Sequence, residues 1–364
     1  MTKWMTLACV LALTGCAMNG PTGEGAELAE AREWTDLGPA PVTTRHPGEY
    51  VSEDAPVELE ELTDAFSQGT LLEAEDGHEY LAPSVDGALR DALLADYEAL
   101  DDEYDLGADV RTGEGELTGV ELPRILWRDN RTRVTNRAAD PFTGIGRYTI
   151  QFSGADNCDG ASACELSCTG TLIGDRYVAI AAHCIYDRGE NAWIRGNVGV
   201  ARGQVCFREG STTRCTPVVG RKISPTWRNS GANRARHDYA LLKVQHWFGG
   251  LHQMRLSSIS SRSTLNSLTV RNHGYPGTTP TGVDGSVNQL WGMNCSITDI
   301  ANERLSYNCD TTGGHSGGPV YYRTSGGGFF LLAIHSGSAT FGNTGARVAG
   351  SDIRDWLVSE MSGW

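Results

Sequence analysis

The rhythm of apolar residues changes along this chain. From residue 145 they come in short runs rich in β-branched and aromatic side chains, at 148–152, 177–181, 239–244, 267–270 and 329–334. Gly, Asn, Ser and Pro clusters separate the runs, which predicts many short strands in an all-β sandwich or barrel. Three glycines at 326–328 fall between two such runs and read as a hairpin loop. The first hundred residues behave differently. Residues 17 to about 60 are rich in Gly, Pro, Glu and Ala with little apolar period, so they read as a disordered tether. Leu89, Leu93, Leu94, Tyr97 and Leu100 recur at helical spacing, which predicts an amphipathic helix within 86–105.

Charge sharpens that division. The net charge of −15 conceals a segment 16–123 at −24 and a segment 124–364 at +8. The basic charges are scattered and no nucleic-acid motif accompanies them, so nucleic acid is not an expected partner. With 40% hydrophobic residues the chain can build a core. No apolar run is long enough for a polytopic membrane protein.

The start of the chain reads as an address. Lys3, an apolar stretch over 7–13 and Leu13-Thr14-Gly15 before Cys16 make an export signal over 1–15. Small residues directly before a Cys resemble the lipobox of bacterial lipoproteins, in which Cys16 would be lipidated and tie the precursor to a membrane. Export favours disulfides. Eight further cysteines, at 158, 164, 168, 184, 206, 215, 295 and 309, lie in the basic segment. They allow 105 connectivities, of which nearest-neighbour pairing is the simplest. No CxxC zinc spacing occurs, and no metal or cofactor is expected.

Three separated segments carry a serine-hydrolase constellation. Ala182-His183-Cys184 follows Cys168-Thr169-Gly170, His237-Asp238 opens a strand-like run, and Thr311-Thr312-Gly313-Gly314-His315-Ser316-Gly317 is glycine-rich. The order His, Asp, Ser is that of chymotrypsin-fold proteases rather than subtilisins or α/β-hydrolases. Ser316 needs a base to become a nucleophile, and His183 can serve. Asp238 would fix the His183 tautomer and stabilise its imidazolium. The glycines allow the N–H groups of Gly314 and Ser316 to converge as an oxyanion hole. A Cys168–Cys184 bridge would hold the loop of His183. A non-catalytic binding protein on the same fold is the alternative from another class.

Beyond these residues the chain resembles the bacterial glutamyl endopeptidases. The similarity is carried by 129–136 (DNRTRVTN), by Cys168-Thr169-Gly170 with 182–187 (AHCIYD), and by 274–277 (GYPG). It continues through 310–317 (DTTGGHSG), 333–337 (AIHSG) and 345–347 (GAR), so it spans about 124–358. The resemblance implies a chymotrypsin-like double β-barrel of two six-stranded units with the site between them. It also implies a C-terminal helix, which 351–361 fits, with Ser351 or Asp352 as cap and Ile353, Trp356 and Leu357 as its apolar stripe. It implies an S1 pocket with Thr311, His335, Ser336 and Gly337 in its wall, and a preference for Glu before the cut bond. Asp310, six residues before Ser316, carries the rival expectation of cleavage after Lys or Arg. Animal trypsin-like enzymes carry Asp directly before the nucleophile; here it is His315, so their salt-bridge activation switch is absent.

The resemblance does not reach the acidic segment. By position and charge, 16–123 reads as a propeptide or tether of a zymogen, and 124–364 as the protease domain. Expected partners are peptide or protein substrates, the chain's own propeptide and a membrane through Cys16 alone; the expected state is monomeric.

Overall fold

The computed structural model describes residues 34–47, 69–82, 91, 125, 128–229, 235–277, 288–301, 303–339 and 342–364. Outside them lie the export signal, Cys16, the processing point near residue 124 and, apart from residue 91, the helix expected within 86–105.

Among the described residues, the β-rich part closes into two barrels of six strands each. In the first, the ladder runs from Thr212–Ile223 through Gln204–Glu209, Ile145–Ser153, Ala163–Gly174, Tyr177–Ile180 and Ala240–Val244, which pairs back onto Thr212–Ile223. In the second, it runs from Phe329–Ala339 through Pro319–Arg323, Thr269–Gly274, Trp291–Ile300, Arg304–Tyr307 and Gly342–Arg347, which returns to Phe329–Ala339. Closure removes the exposed sheet edges that would otherwise need covering. Each predicted apolar run lies in or overlaps one of these strands. The run at 267–270 is shifted, because Arg262–Ser267 forms a short helix and its strand begins at Thr269.

Side chains of alternate strand positions fill the barrels. Ile145, Ile150, Phe152, Leu172, Val205 and Phe207 are buried in the first, and Val270, Leu305, Val320 and Leu332 in the second. The disulfides are Cys158–Cys164, Cys168–Cys184, Cys206–Cys215 and Cys295–Cys309, all between nearest neighbours. The glycines at 326–328 close the turn between Pro319–Arg323 and Phe329–Ala339, with Thr324 receiving the Gly327 N–H at 3.0 Å.

The C-terminal helix is Asp352–Ser362, and it buries Ile353, Trp356 and Leu357 as its pattern requires. Ser351 occupies the N-cap position, yet its hydroxyl turns back to the carbonyls of Arg347 and Val348 instead of capping the helix.

The leader departs from its sequence reading. Residues that composition assigned to a tether form Thr35–Pro39 and Val42–Thr43, and a hairpin follows at Thr70–Glu73 and His78–Ala82. Thr70–Glu73 adds antiparallel to the end of Thr212–Ile223, with Glu73 opposite Arg221. The reason is tertiary: an acidic, Gly-rich segment has little strand pattern of its own, and the barrel edge and buried cations that order it lie far along the chain.

Candidate active site

The site lies where the barrels meet, and each piece is set by local backbone. His183 sits in a short 3-10 turn, Ala182–Cys184, tied to the strand Ala163–Gly174 by the Cys168–Cys184 disulfide. Asp238 directly follows the turn Ala235–His237, whose His237 is buried. Asp238 is fully buried and receives three donors. His183 Nδ1 stands 2.6 Å from its Oδ2, the His183 backbone N–H donates to Oδ1 at 2.9 Å, and the Ser336 hydroxyl donates to Oδ2. A buried carboxylate is stable only when so satisfied.

Ser316 and His183 line one cleft of about 560 Å³. Gly313, Gly314 and Ser316 form one wall, together with Thr311, Thr312, His335, Ser336 and Gly337. Gly314 has φ +95°, and a Cβ there would lie 2.3 Å from the Tyr275 carbonyl oxygen, so only glycine fits. The Gly313 carbonyl accepts from Gly277 N–H at 2.7 Å. In a trans peptide C=O and N–H point opposite ways, so Gly314 N–H is aimed away from Gly277.

The nucleophile loop is braced from the other barrel. Thr169 N–H donates to the Ser316 carbonyl at 2.8 Å, and Thr169 Oγ1 donates to the Gly314 carbonyl at 2.7 Å while accepting from Tyr275 N–H at 2.9 Å. No local pattern marks this role for Thr169, because its partners Gly314 and Tyr275 lie more than 100 residues along the chain.

The candidate S1 residues divide. Thr311, His335 and Gly337 border the cleft, and His335 Nδ1 is in hydrogen-bond contact with the Tyr307 hydroxyl at 2.5 Å. Burial holds the Tyr307 phenol well above its usual pKa, so it stays protonated as a partner. Ser336 also borders the cleft, but its hydroxyl serves Asp238. Asp310 is buried, does not border the cleft, and accepts from Asn130 N–H at 2.8 Å. His315 is fully buried. Burial first, and then the Arg131 charge, hold its pKa well below the usual value, so it is neutral. Thr312 N–H reaches its Nδ1 at 3.4 Å, and Nε2 has no partner among the described residues. Two leader residues, His46 and Pro47, also line the cleft, and nothing in their sequence announces it.

Comparison with known proteins agrees with this fold. Residues 168–327 match the trypsin-like peptidase domain family. A glutamyl endopeptidase of Bacillus licheniformis is 27% identical over 283 residues, covering 72% of this chain and 80% of its own. This chain is a chymotrypsin-fold serine endopeptidase related to the glutamyl endopeptidases. An extracellular metalloprotease of Bacillus subtilis is 25% identical over 249 residues, covering 67% of this protease and 72% of its own chain. The solved structure of a Glu endopeptidase in complex with MPD matches the fold with TM-score 0.51 at 21% identity, over 66% of this protease and all of that chain. The word metalloprotease finds no support in the donors around His183. Cys168 and Cys184 stand close to it but are joined as a disulfide, which leaves no thiolate for a metal.

Proposed function

We propose that this protease hydrolyses peptide bonds after glutamate through an acyl-enzyme on Ser316. The observation that carries the reading is the 2.6 Å contact of His183 Nδ1 with buried Asp238, in the cleft that Ser316 lines. With the proton held on Nδ1, His183 Nε2 is the basic nitrogen that takes the Ser316 proton as Oγ attacks the carbonyl. The oxyanion falls to the N–H groups of Gly314 and Ser316. Collapse expels the amine with the proton from His183, and water releases the acid by the same route.

Three observations support acidic over basic specificity. His335 and Thr311 border the cleft and can both donate to a carboxylate, each such bond being worth about 1.5–3 kcal/mol. Asp310, which would select Lys or Arg, is buried and engaged with Asn130. A relative bears the name glutamyl endopeptidase. Peptides that differ only in Glu, Asp, Lys, Arg, Phe or Ala before the cut bond test the reading, with Ser316→Ala as control. Fastest cleavage after Glu, lost in the control, is expected. Cleavage after Arg would return specificity to Asp310.

The acidic leader fits an exported zymogen, lipid-anchored through Cys16 and cut near residue 124. One relative is named extracellular, which suits export. Sequencing the N-terminus of the active form tests the cut; an active chain that still starts at Cys16 would overturn it.

A further inference from the structure

The leader is bound to the protease domain by more than its sequence connection. Thr70–Glu73 pairs with Arg221–Ile223, and all four of its residues are buried. His78–Ala82 folds back on it, and Thr35–Pro39 pairs on the outside. Val42–Thr43 joins Trp193–Ile194 in a parallel pair.

The ion pairs between this hairpin and the domain run from leader carboxylates to domain cations. Glu73 is completely buried and meets Arg221, itself completely buried, with Arg195 and Arg202 beside it. Its carboxyl lies below the usual range: burial, the largest influence, pushes it up, and the three guanidinium groups outweigh that. Glu79 accepts from Trp193 Nε1 at 2.7 Å and from Arg228 Nη1 at 2.8 Å. Thr70 Oγ1 donates to Glu360 at 2.7 Å and accepts from Trp356 Nε1 at 3.0 Å, which ties the leader to the C-terminal helix. Every one of these partners lies beyond residue 124. Removing Glu73 would leave Arg221 as a buried, uncompensated charge, an arrangement that folded proteins avoid.

We infer that the leader remains bound after the chain is cut, so that the mature protease is a two-chain molecule. Its short chain adds the strand Thr70–Glu73 to the end of Thr212–Ile223 and supplies His46 and Pro47 to the cleft. This rests on the processing reading above only for the natural cut. The binding surface itself is a property of the folded chain. His46 and Pro47 line the cleft together with Glu165, Leu166, Cys168, His183 and Ser316. The retained chain would therefore form part of the wall that meets the substrate.

The test uses the full chain carrying Ser316→Ala, so that its own proteolysis plays no part. A recognition sequence for an unrelated site-specific protease replaces residues 112–117. After cutting, gel filtration with mass spectrometry follows the two pieces at physiological salt. Co-elution of the leader with residues 124–364 is expected. Elution of the leader alone, whether the remaining domain stays folded or precipitates, overturns the inference. Glu73→Gln in the same cut chain should raise the leader's dissociation constant at least tenfold; an unchanged constant would remove Glu73 as the anchor. Neither readout depends on catalysis or on where the natural cut falls, so failure here and failure of the peptidase reading are separate results.

Discussion

Thr169, on a first-barrel strand, donates its hydroxyl to the carbonyl of Gly314, on the nucleophile loop of the second barrel, at 2.7 Å. The two halves of the site are thus joined by a bond that holds the Gly314 loop from behind. Thr169→Val keeps the shape and deletes the donor. One neutral hydrogen bond contributes about 0.5–1.5 kcal/mol, so kcat should fall about tenfold or less with KM little changed. Steady-state kinetics on the preferred peptide check this; a change confined to KM would contradict it.

Gly314→Ala should be far more severe. The added methyl meets the Tyr275 carbonyl, and φ +95° disfavours any L side chain. Loss of one oxyanion donor typically lowers kcat by about 10²–10³. The variant should still fold, which circular dichroism and thermal melting check, while turnover drops.

Ser336→Ala removes one of the three donors to Asp238. A bond to a charged acceptor is worth about 1.5–3 kcal/mol, so a fall in kcat of about 10- to 100-fold is expected. The preference for Glu over Ala before the cut bond should persist, because the lost hydroxyl serves Asp238. A lost preference with intact kcat would place Ser336 in substrate binding instead.

Buried titratable groups set opposing trends of stability with pH. Burial raises the Glu303 carboxyl from 4.5 to about 7. Between those values the unfolded chain has released the proton and the folded chain still holds it. The contribution of Glu303 therefore becomes unfavourable as pH rises from 4.5 to 7, by up to about 3 kcal/mol. Glu303→Gln removes the effect, so the melting-temperature gain of the variant should grow across that interval and level off above it. His273 acts in the other direction. Burial lowers its pKa from 6.5 to about 3, so its stabilising contribution is present above 6.5 and lost as pH falls toward 3. His273→Gln should flatten acid unfolding, followed by fluorescence.

The legible parts of this molecule were those that short-range pattern or chain order encodes. His183, Asp238 and Ser316 were readable because their order and glycine context are unusual together. The barrel strands were readable from apolar runs between turn residues, and the disulfides happened to follow the simplest pairing. Ser336 was assigned to S1 because His335-Ser336-Gly337 marks a strand, whereas its bond to Asp238 spans 98 residues that no local pattern bridges. The leader strands were missed for the same reason. Glu73 looks like one acid among many until Arg221, Arg195 and Arg202 surround it.

That pairing also has a consequence for the order of assembly. Glu73 precedes Arg221 by 148 residues. Contacts so distant in sequence form late, because a long loop must close before they return any stabilisation. The leader hairpin is synthesised early, yet it has no surface to join until the strand ending at Ile223 exists. The sheet that extends the first barrel is therefore finished by a segment made early, and Leu71 and Leu72 have no partner strand on the barrel until then.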